Sequence, residues 1–439
     1  MDTDKTRTLT LEITAGAPYI CAVTRFVESA ANTFGLPKDE YPGLCSATEK
    51  IFLYLANFIC PGKPLEVQCF NGFYYTRVLF RFSAEELNLS GLNIVSTITP
   101  DRERNPETTG LLIASRFVDY LDVSIEKNNR ICLAITKEKT YPAQSEKLDL
   151  PTSAGKIFTE IPDAEQLKYF AGLTSLVYDA AHRPGFFSCP GKLVDMIASG
   201  EYSAVIALNA KKEIVGGVLL CLRAERNVQC FGPYCFCKEQ ETMICEMLLE
   251  ACLNKIARTK ALGLLSISGL PEALRNSFEK LGSLHYHEEG KAPVEEFSFY
   301  MLLHDEPGLA VWSCSDVTYY LTNAYRRLGL VREIKSLRDM VETRSGYSLF
   351  SAEINRERRA VTLRPLSPGN DYAANLGRHI RFLRNEGFPN LYFALDPGIL
   401  WQAEMIPILL NYQFEPGIIL PFAGKSDIVI FEYVDKAWF

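Results

Sequence analysis

Several groups of side chains in this 439-residue chain have types and spacings that could do chemistry. Cys230, Cys235, Cys237 and Cys245, with His285 and His287 further on, are the soft ligands that zinc takes. None is paired as Cys-x-x-Cys, and Cys235 and Cys237 share one face of a strand, so they read as core thiols with no metal. His182, in His182-Arg-Pro-Gly185, has the type of a general base, but with no hydroxyl or thiol partner it reads as a loop histidine. Glu49 sits in a helical run, where it is either a catalytic carboxylate or a solvated helix residue. Thr108-Thr109-Gly110 opens a helix, where free backbone N–H groups receive phosphate or a threonine caps the end. In Ser367-Pro-Gly-Asn370, also ahead of a helix, Gly369 fits a phosphate turn and equally an ordinary Pro-Gly turn, with Arg364 close by as a phosphate partner.

The elements that must position these groups are strongest from Tyr202 to Gly269. Residues 201–208 and 214–222 read as two strands around a polar turn, and 228–237 as a third. From Glu239 to Arg258 the period becomes helical, with Met243, Ile244, Met247, Leu248, Ala251, Cys252 and Ile256 on one face. Gly263-Leu-Leu-Ser-Ile-Ser268 is a strand that must return parallel to its neighbour.

Ahead of this unit the order is strand (9–14), helix (19–34), helix (44–60), hairpin at Asn71-Gly72, polar loop, helix (111–120) and a second hairpin around 127–129. Helices would cover one face of an antiparallel-rich sheet. Tyr141 to Thr159 reads as a linker, and a helix follows over 164–181. After the central unit come a helix over 271–281, a strand over 297–303, helices over 317–328 and 331–341, and strands over 348–355 and 359–365. Helix 371–385, strand 391–395, helix 399–410 and two last strands complete the chain.

Residues 8–138, with Glu49 on the second helix, the hairpin, the loop and the Gly110 helix, resemble the ATP-binding domain of RsbW/SpoIIAB-type anti-sigma factor kinases, within the GHKL ATPases. That family uses Glu-x-x-x-Asn, in which the Glu polarises the nucleophile and the Asn holds magnesium. Here Leu53 stands in the Asn position and offers no oxygen to a hard cation. The Asp-x-Gly-x-Gly motif that recognises adenine is replaced by Asn88-Leu-Ser-Gly-Leu-Asn-Ile94, with Gly91 alone and no aspartate. The third motif survives as Thr108-Thr109-Gly110. The resemblance implies a degenerate GHKL scaffold, with ATP and magnesium disfavoured.

Residues 160–304 resemble the GNAT acyltransferase fold in element order and in Phe278-Glu-Lys-Leu-Gly282. The family's pyrophosphate loop, Arg/Gln-x-x-Gly-x-Gly/Ala, falls at Lys238-Glu-Gln-Glu-Thr-Met243, where there is no glycine and two glutamates would repel a diphosphate. Residues 305–439 resemble the second half of another such module. If an acyl-CoA binds, the resemblance places it there, at Gly369 and Arg364, and Gly369→Val would remove it without harm to the fold.

The expected class is therefore α+β: a GHKL-like sandwich (1–140), a linker (141–159), a GNAT-like domain (160–304) and a second GNAT-like module (305–439). Apolar residues make up 47% of the chain, enough for a core in each. A net charge of −7 argues against a nucleic-acid or anionic-membrane partner. The thirteen cysteines lie in apolar segments of a chain that starts without an export signal, as in a cytoplasmic bacterial protein. Three functions compete. One is a regulatory protein that binds a protein partner or small ligand; the second is an acyl-CoA-dependent N-acyltransferase; the third, and weakest given Leu53, is an anti-sigma-type serine kinase.

Overall fold

The computed structural model describes residues 7–83, 89–93, 110–126, 128–144, 148–151, 155–179, 182–224, 226–267, 269–288, 290–306, 308–337, 346–356 and 358–434. The N-terminal unit runs β1 (Thr8–Thr14), α1 (Ile20–Thr33), α2 (Tyr41–Tyr54), β2 (Pro64–Asn71), β3 (Tyr75–Ser83), α3 (Gly110–Ala114), β4 (Tyr120–Glu126) and β5 (Arg130–Glu138). Its sheet is antiparallel throughout, in the order β1-β2-β3-β5-β4. On α1, Val23, Val27, Ala30 and Ala31 are buried, one stripe at helical spacing. Leu65, Val67 and Cys69 of β2 and Val78, Phe80 and Phe82 of β3 meet that stripe by the period of two that strands impose. The Asn71-Gly72 hairpin forms, but Phe73 holds the left-handed conformation, at φ 68°, and Asn71 Oδ1 accepts from its N–H. Helix α3 spans five residues, where the sequence suggests a helix to Tyr120.

The rest of the chain builds a twelve-stranded sheet and a separate two-stranded pair. Its first part comprises β6 (Phe158–Glu160), α4 (Ala164–Val177), α5 (Pro190–Ser199), β7 (Tyr202–Leu208), β8 (Ile214–Ala224), β9 (Asn227–Cys235), α6 (Glu241–Ile256), β10 (Gly263–Ser266), β11 (Glu279–Tyr286) and β12 (Val294–Leu302). Its second comprises β13 (Leu309–Ser313), α7 (Ser315–Arg327), β14 (Arg332–Ser336), β15 (Leu349–Asn355), β16 (Ala360–Ser367), α8 (Tyr372–Asn385), β17 (Asn390–Leu395), α9 (Leu400–Ala403), α10 (Ile406–Asn411), β18 (Phe414–Leu420) and β19 (Ile428–Tyr433). The strand order is β15-β16-β17-β19-β18-β11-β12-β10-β9-β8-β7-β6, and β13 and β14 form a separate parallel pair.

The central unit takes the expected form: β7, β8 and β9 pair antiparallel, α6 crosses over, and β10 returns parallel to β9. Both faces of this region are covered, and alternation divides its residues between two cores. Val205, Ala207, Val218 and Leu220 face α6, whereas Ala204, Ile206, Leu208 and Leu219 face α4 and α5. Helix α4 starts at a capping box in which Asp163 and Gln166 exchange side-chain and backbone hydrogen bonds.

Further expectations change: the helix expected over 399–410 is two short helices, α9 and α10. Phe158–Glu160, at the end of the expected linker, is the edge strand beside β7. Residues 271–281 are a short 3-10 turn (Glu272–Ser277) followed by strand β11 rather than a helix. Arg332–Ser336, expected to be helical, is strand β14.

Candidate functional site

Glu49 lies on α2 with its side chain 46% exposed, 4.0 Å from Lys50 Nζ. Thr108 and Thr109 lie outside the described residues, and Gly110 is the first residue of α3. Gly91 is packed down on α2: Tyr54 Oη donates to its carbonyl at 2.6 Å, and an added Cβ would meet Ile59 Cδ1 and Tyr54 Oη within 3 Å. Two residues on, Asn93 is buried and reaches out of its own unit. Its Nδ2 donates to Ser348 O (2.8 Å), and its Oδ1 accepts from Phe350 N (2.9 Å) and Asn375 Nδ2 (3.3 Å). Leu349, between those partners, belongs to the N-terminal core. The segment where the resemblance places adenine recognition is thus bolted to β15.

Strands β9 and β10 pair in parallel from Asn227↔Gly263 to Cys230↔Ser266 and then part. On the edge so exposed, Cys235 N donates to Tyr178 Oη at 2.8 Å and the same hydroxyl donates to Cys235 O at 3.1 Å. Burial pushes the Tyr178 phenol up to about 12, so it stays neutral and keeps that proton. Lys238–Gln240 form a 3-10 turn into α6, with Lys238 and Glu239 exposed.

The second parallel pair, β16 and β17, parts after Leu363↔Phe393. Gln402 on α9 spans this gap, its Oε1 accepting from Asp396 N (2.7 Å) and its Nε2 directed at Pro365 O (3.5 Å). Gly369 lies against the main chain of Tyr347 and Ser348, so close that a Cβ there would overlap it. Asp371 then accepts from Ser348 N (2.6 Å) and Oγ (2.7 Å), placing a carboxylate beside the start of α8. Arg364 pairs across the strands with Glu353 at 3.2 Å. These contacts give Gly369 a packing role, and the expectation that valine is tolerated there is corrected.

Sequence reasoning missed a concavity at the seam between the two parts of the large sheet. Strands β11 and β18 share one ladder position, Gly282↔Ile418, where Gly282 and Gly417 bring their backbones into contact that no side chain could allow. Beyond it β11 runs over β19 and β17, held by side chains. Glu432 accepts from His285 N (2.9 and 3.0 Å), Tyr392 Oη donates to His285 O (3.2 Å), and Asn390 exchanges bonds with His287 N (2.8 Å) and O (3.0 Å). The seam therefore widens into a cavity of about 420 Å3. Lys280, His285 and His287 line it from the first half, and Tyr320, Arg327, Arg384, Glu415 and Glu432 from the second. His285 Nδ1 lies 3.2 Å from Glu432 Oε2. Glu432 is 7% exposed, and its desolvation raises its carboxyl pKa. His287 is shifted down by burial and by the neighbouring charges of His285 and Arg384.

Among the described residues no group of three or more His, Cys, Asp or Glu side chains is placed to hold a metal ion. Cys230, Cys235 and Cys245 are buried, and desolvation pushes their thiols up to about 12, 11 and 12, as expected of core residues. His182 is exposed, with Nδ1 2.6 Å from Asp179. No helix among the described residues is long and apolar enough to cross a membrane.

No family model matches the sequence, and no curated protein matches it. Solved structures that resemble it are GNAT acetyltransferases covering about a third of the chain. An aminoglycoside 6'-N-acetyltransferase complexed with coenzyme A is 12% identical over 34% of this chain and 99% of its own, with a TM-score of 0.27. The spermidine/spermine N-acetyltransferase SpeG of Vibrio cholerae, in complex with manganese ions, is 14% identical over 34% and 92%, with a TM-score of 0.26. A GNAT-family acetyltransferase of Staphylococcus aureus Mu50 is 14% identical over 34% and 100%, with a TM-score of 0.25. At such scores these likenesses say nothing of activity, and what this chain does has to be read from its own geometry.

Proposed function

We propose that this chain is a regulatory ligand-binding protein built on two GNAT-like halves, in which acyl transfer has been lost and the ligand sits at the seam. One observation carries the reading: where each pair of parallel strands parts, a side chain of the same molecule occupies the gap, Tyr178 in the first half and Gln402 in the second. An acyl-CoA would have to displace those hydrogen bonds, at about 1–3 kcal/mol for each buried group left unmet. At the start of α8 it would also meet the Asp371 carboxylate, which is hydrogen-bonded to Ser348 and paired with Arg378 at 3.1 Å. The N-terminal unit, read as a degenerate GHKL domain, would serve docking and partner binding rather than phosphotransfer, since Leu53 cannot replace a magnesium-binding asparagine.

The second reading, an acyl-CoA-dependent N-acyltransferase, draws on the parted parallel strands themselves, the opening through which such a cofactor would enter. A thermal-shift series with acetyl-CoA, longer acyl-CoAs and magnesium–ATP separates the two, because a ligand specific to the folded state must raise the melting temperature. No shift from acetyl-CoA or magnesium–ATP is expected. Transfer of an acetyl group from acetyl-CoA to a polyamine or aminoglycoside would overturn the first reading in favour of the second.

A further inference from the structure

The seam cavity contains a polar group that the protein leaves unmet. Tyr320 Oη, on α7, is shielded from solvent, lines the cavity and has no hydrogen-bond partner among the described residues. Buried hydroxyls are normally paired, and this unpaired one belongs to a side chain that lines the concavity.

Charge points the same way. Lys280 from β11, Arg327 from α7 and Arg384 from α8 all line the space. Two carboxylates oppose them, and one of these, Glu432, already takes the backbone N–H of His285 and faces its ring. Glu415 is exposed at the rim. Arg327 contacts Leu281 O at a long 3.4 Å, and Lys280 lies over the Phe297 ring, 3.4 Å from its centroid, an arrangement that leaves the ammonium donors to solvent or ligand. Two guanidinium groups and a phenol lining one cavity are suited to a carboxylate or phosphoryl oxygen cluster.

We propose that the seam cavity binds a small organic anion through a carboxylate or phosphoryl group. Arg327, Arg384 and the Tyr320 hydroxyl hold it from the second half, and Lys280 closes on it from the first. This deepens the ligand-binding reading above and rests on it. Because the cations come from both sides of a seam that shares one ladder position, the bound anion would tie the halves together.

The test uses the full-length protein with citrate and glutarate as carboxylates, and phosphoenolpyruvate, glycerol 3-phosphate and inorganic phosphate as phosphoryl probes, at matched ionic strength with chloride as control. At least one series is expected to give a saturable rise in melting temperature of about 2 °C or more, and which series responds assigns the anion class. Arg327→Gln and Arg384→Gln should each weaken that response about tenfold. Tyr320→Phe, which deletes an unmet hydroxyl, should leave the unliganded melting temperature unchanged or higher while weakening binding. A merely structural tyrosine would not split these two readouts. The inference is overturned if no probe exceeds chloride, or if the response survives the Arg327→Gln/Arg384→Gln double variant. A null result here alongside no acetyl-CoA shift removes the anion site alone. An acetyl-CoA shift that survives the double variant, with acetyl transfer, instead removes the underlying reading.

Discussion

His379, on the inner face of α8, is fully buried, with Nδ1 3.0 Å from Asn375 O, its ring 5.4 Å from that of Phe350, and no hydrogen-bond partner at Nε2 among the described residues. Burial holds its pKa down at about 4, against about 6.5 in an unfolded chain. The unfolded state therefore takes up a proton that the folded state refuses. Stability from this residue is complete above about pH 6.5 and falls as the pH drops towards 4, by a total on the order of 3 kcal/mol. Urea midpoints measured at pH 7 and pH 4.5 should differ less for His379→Leu than for the native protein; equal differences would sink the assignment. Gly369 makes a second prediction. A Cβ there would overlap the main chain of Tyr347 and Ser348, so Gly369→Val should lower the unliganded melting temperature, with a cost of about 1–3 kcal/mol or more. An unchanged melting point would restore Gly369 as a ligand position with room to spare.

The docking of the N-terminal unit on β15 rests on two neighbouring contacts, the Asn93 amide and the Leu349 side chain. Asn93→Ala strands the buried Phe350 N–H and should cost about 1–3 kcal/mol, and Leu349→Ala about 2–5 kcal/mol, both read as shifts in the denaturation midpoint. If neither moves it, the two elements do not share a core. The same elements show what was legible in the sequence. The β7–β10 unit was, because its alternation and the switch to helical period in α6 are local signals that agree with the tertiary structure. β11 was not: Leu274, Phe278 and Leu281 fall at helix-like spacing, yet 279–286 forms a hairpin with the next strand, β12, and that pairing outweighs a weak helical preference. For β14 the deciding contacts are distant in sequence, since Arg332 pairs with Glu306 and Asp427 in the interior. Of the candidate site, His285 and His287 stand out in the sequence by type, without the spacing of zinc ligands. Their real neighbours, Glu432, Arg327 and Arg384, lie up to 147 positions away, and nothing local announces them.

At the scale of the whole molecule, the halves of the large sheet meet at one ladder pair, yet many groups besides the ladder bind them. Arg358 pairs with Glu296 at 2.5 Å, Asn227 Nδ2 donates to Pro421 O, and Asn390, Tyr392 and Glu432 grip the end of β11. The N-terminal unit touches both halves. Tyr74 and Tyr75 donate to Glu201 of the first (2.8 and 2.7 Å), Lys192 meets Glu138 at 2.6 Å, and Asn93 holds the second. Contacts that close such a triangle couple the units, so the native protein should melt in a single calorimetric transition. The seam is the vulnerable side, because Gly282 and Gly417 leave no space for a side chain and Gly282 holds φ at 148°. Gly282→Val must push β11 off β18, and with the cavity walls displaced it should also abolish any response to an anion. The expected result is a transition that splits in two, the first half separating from the second, while the N-terminal unit stays docked through Asn93 and Leu349. Two transitions already present in the native protein would show instead that the seam carries little of the coupling.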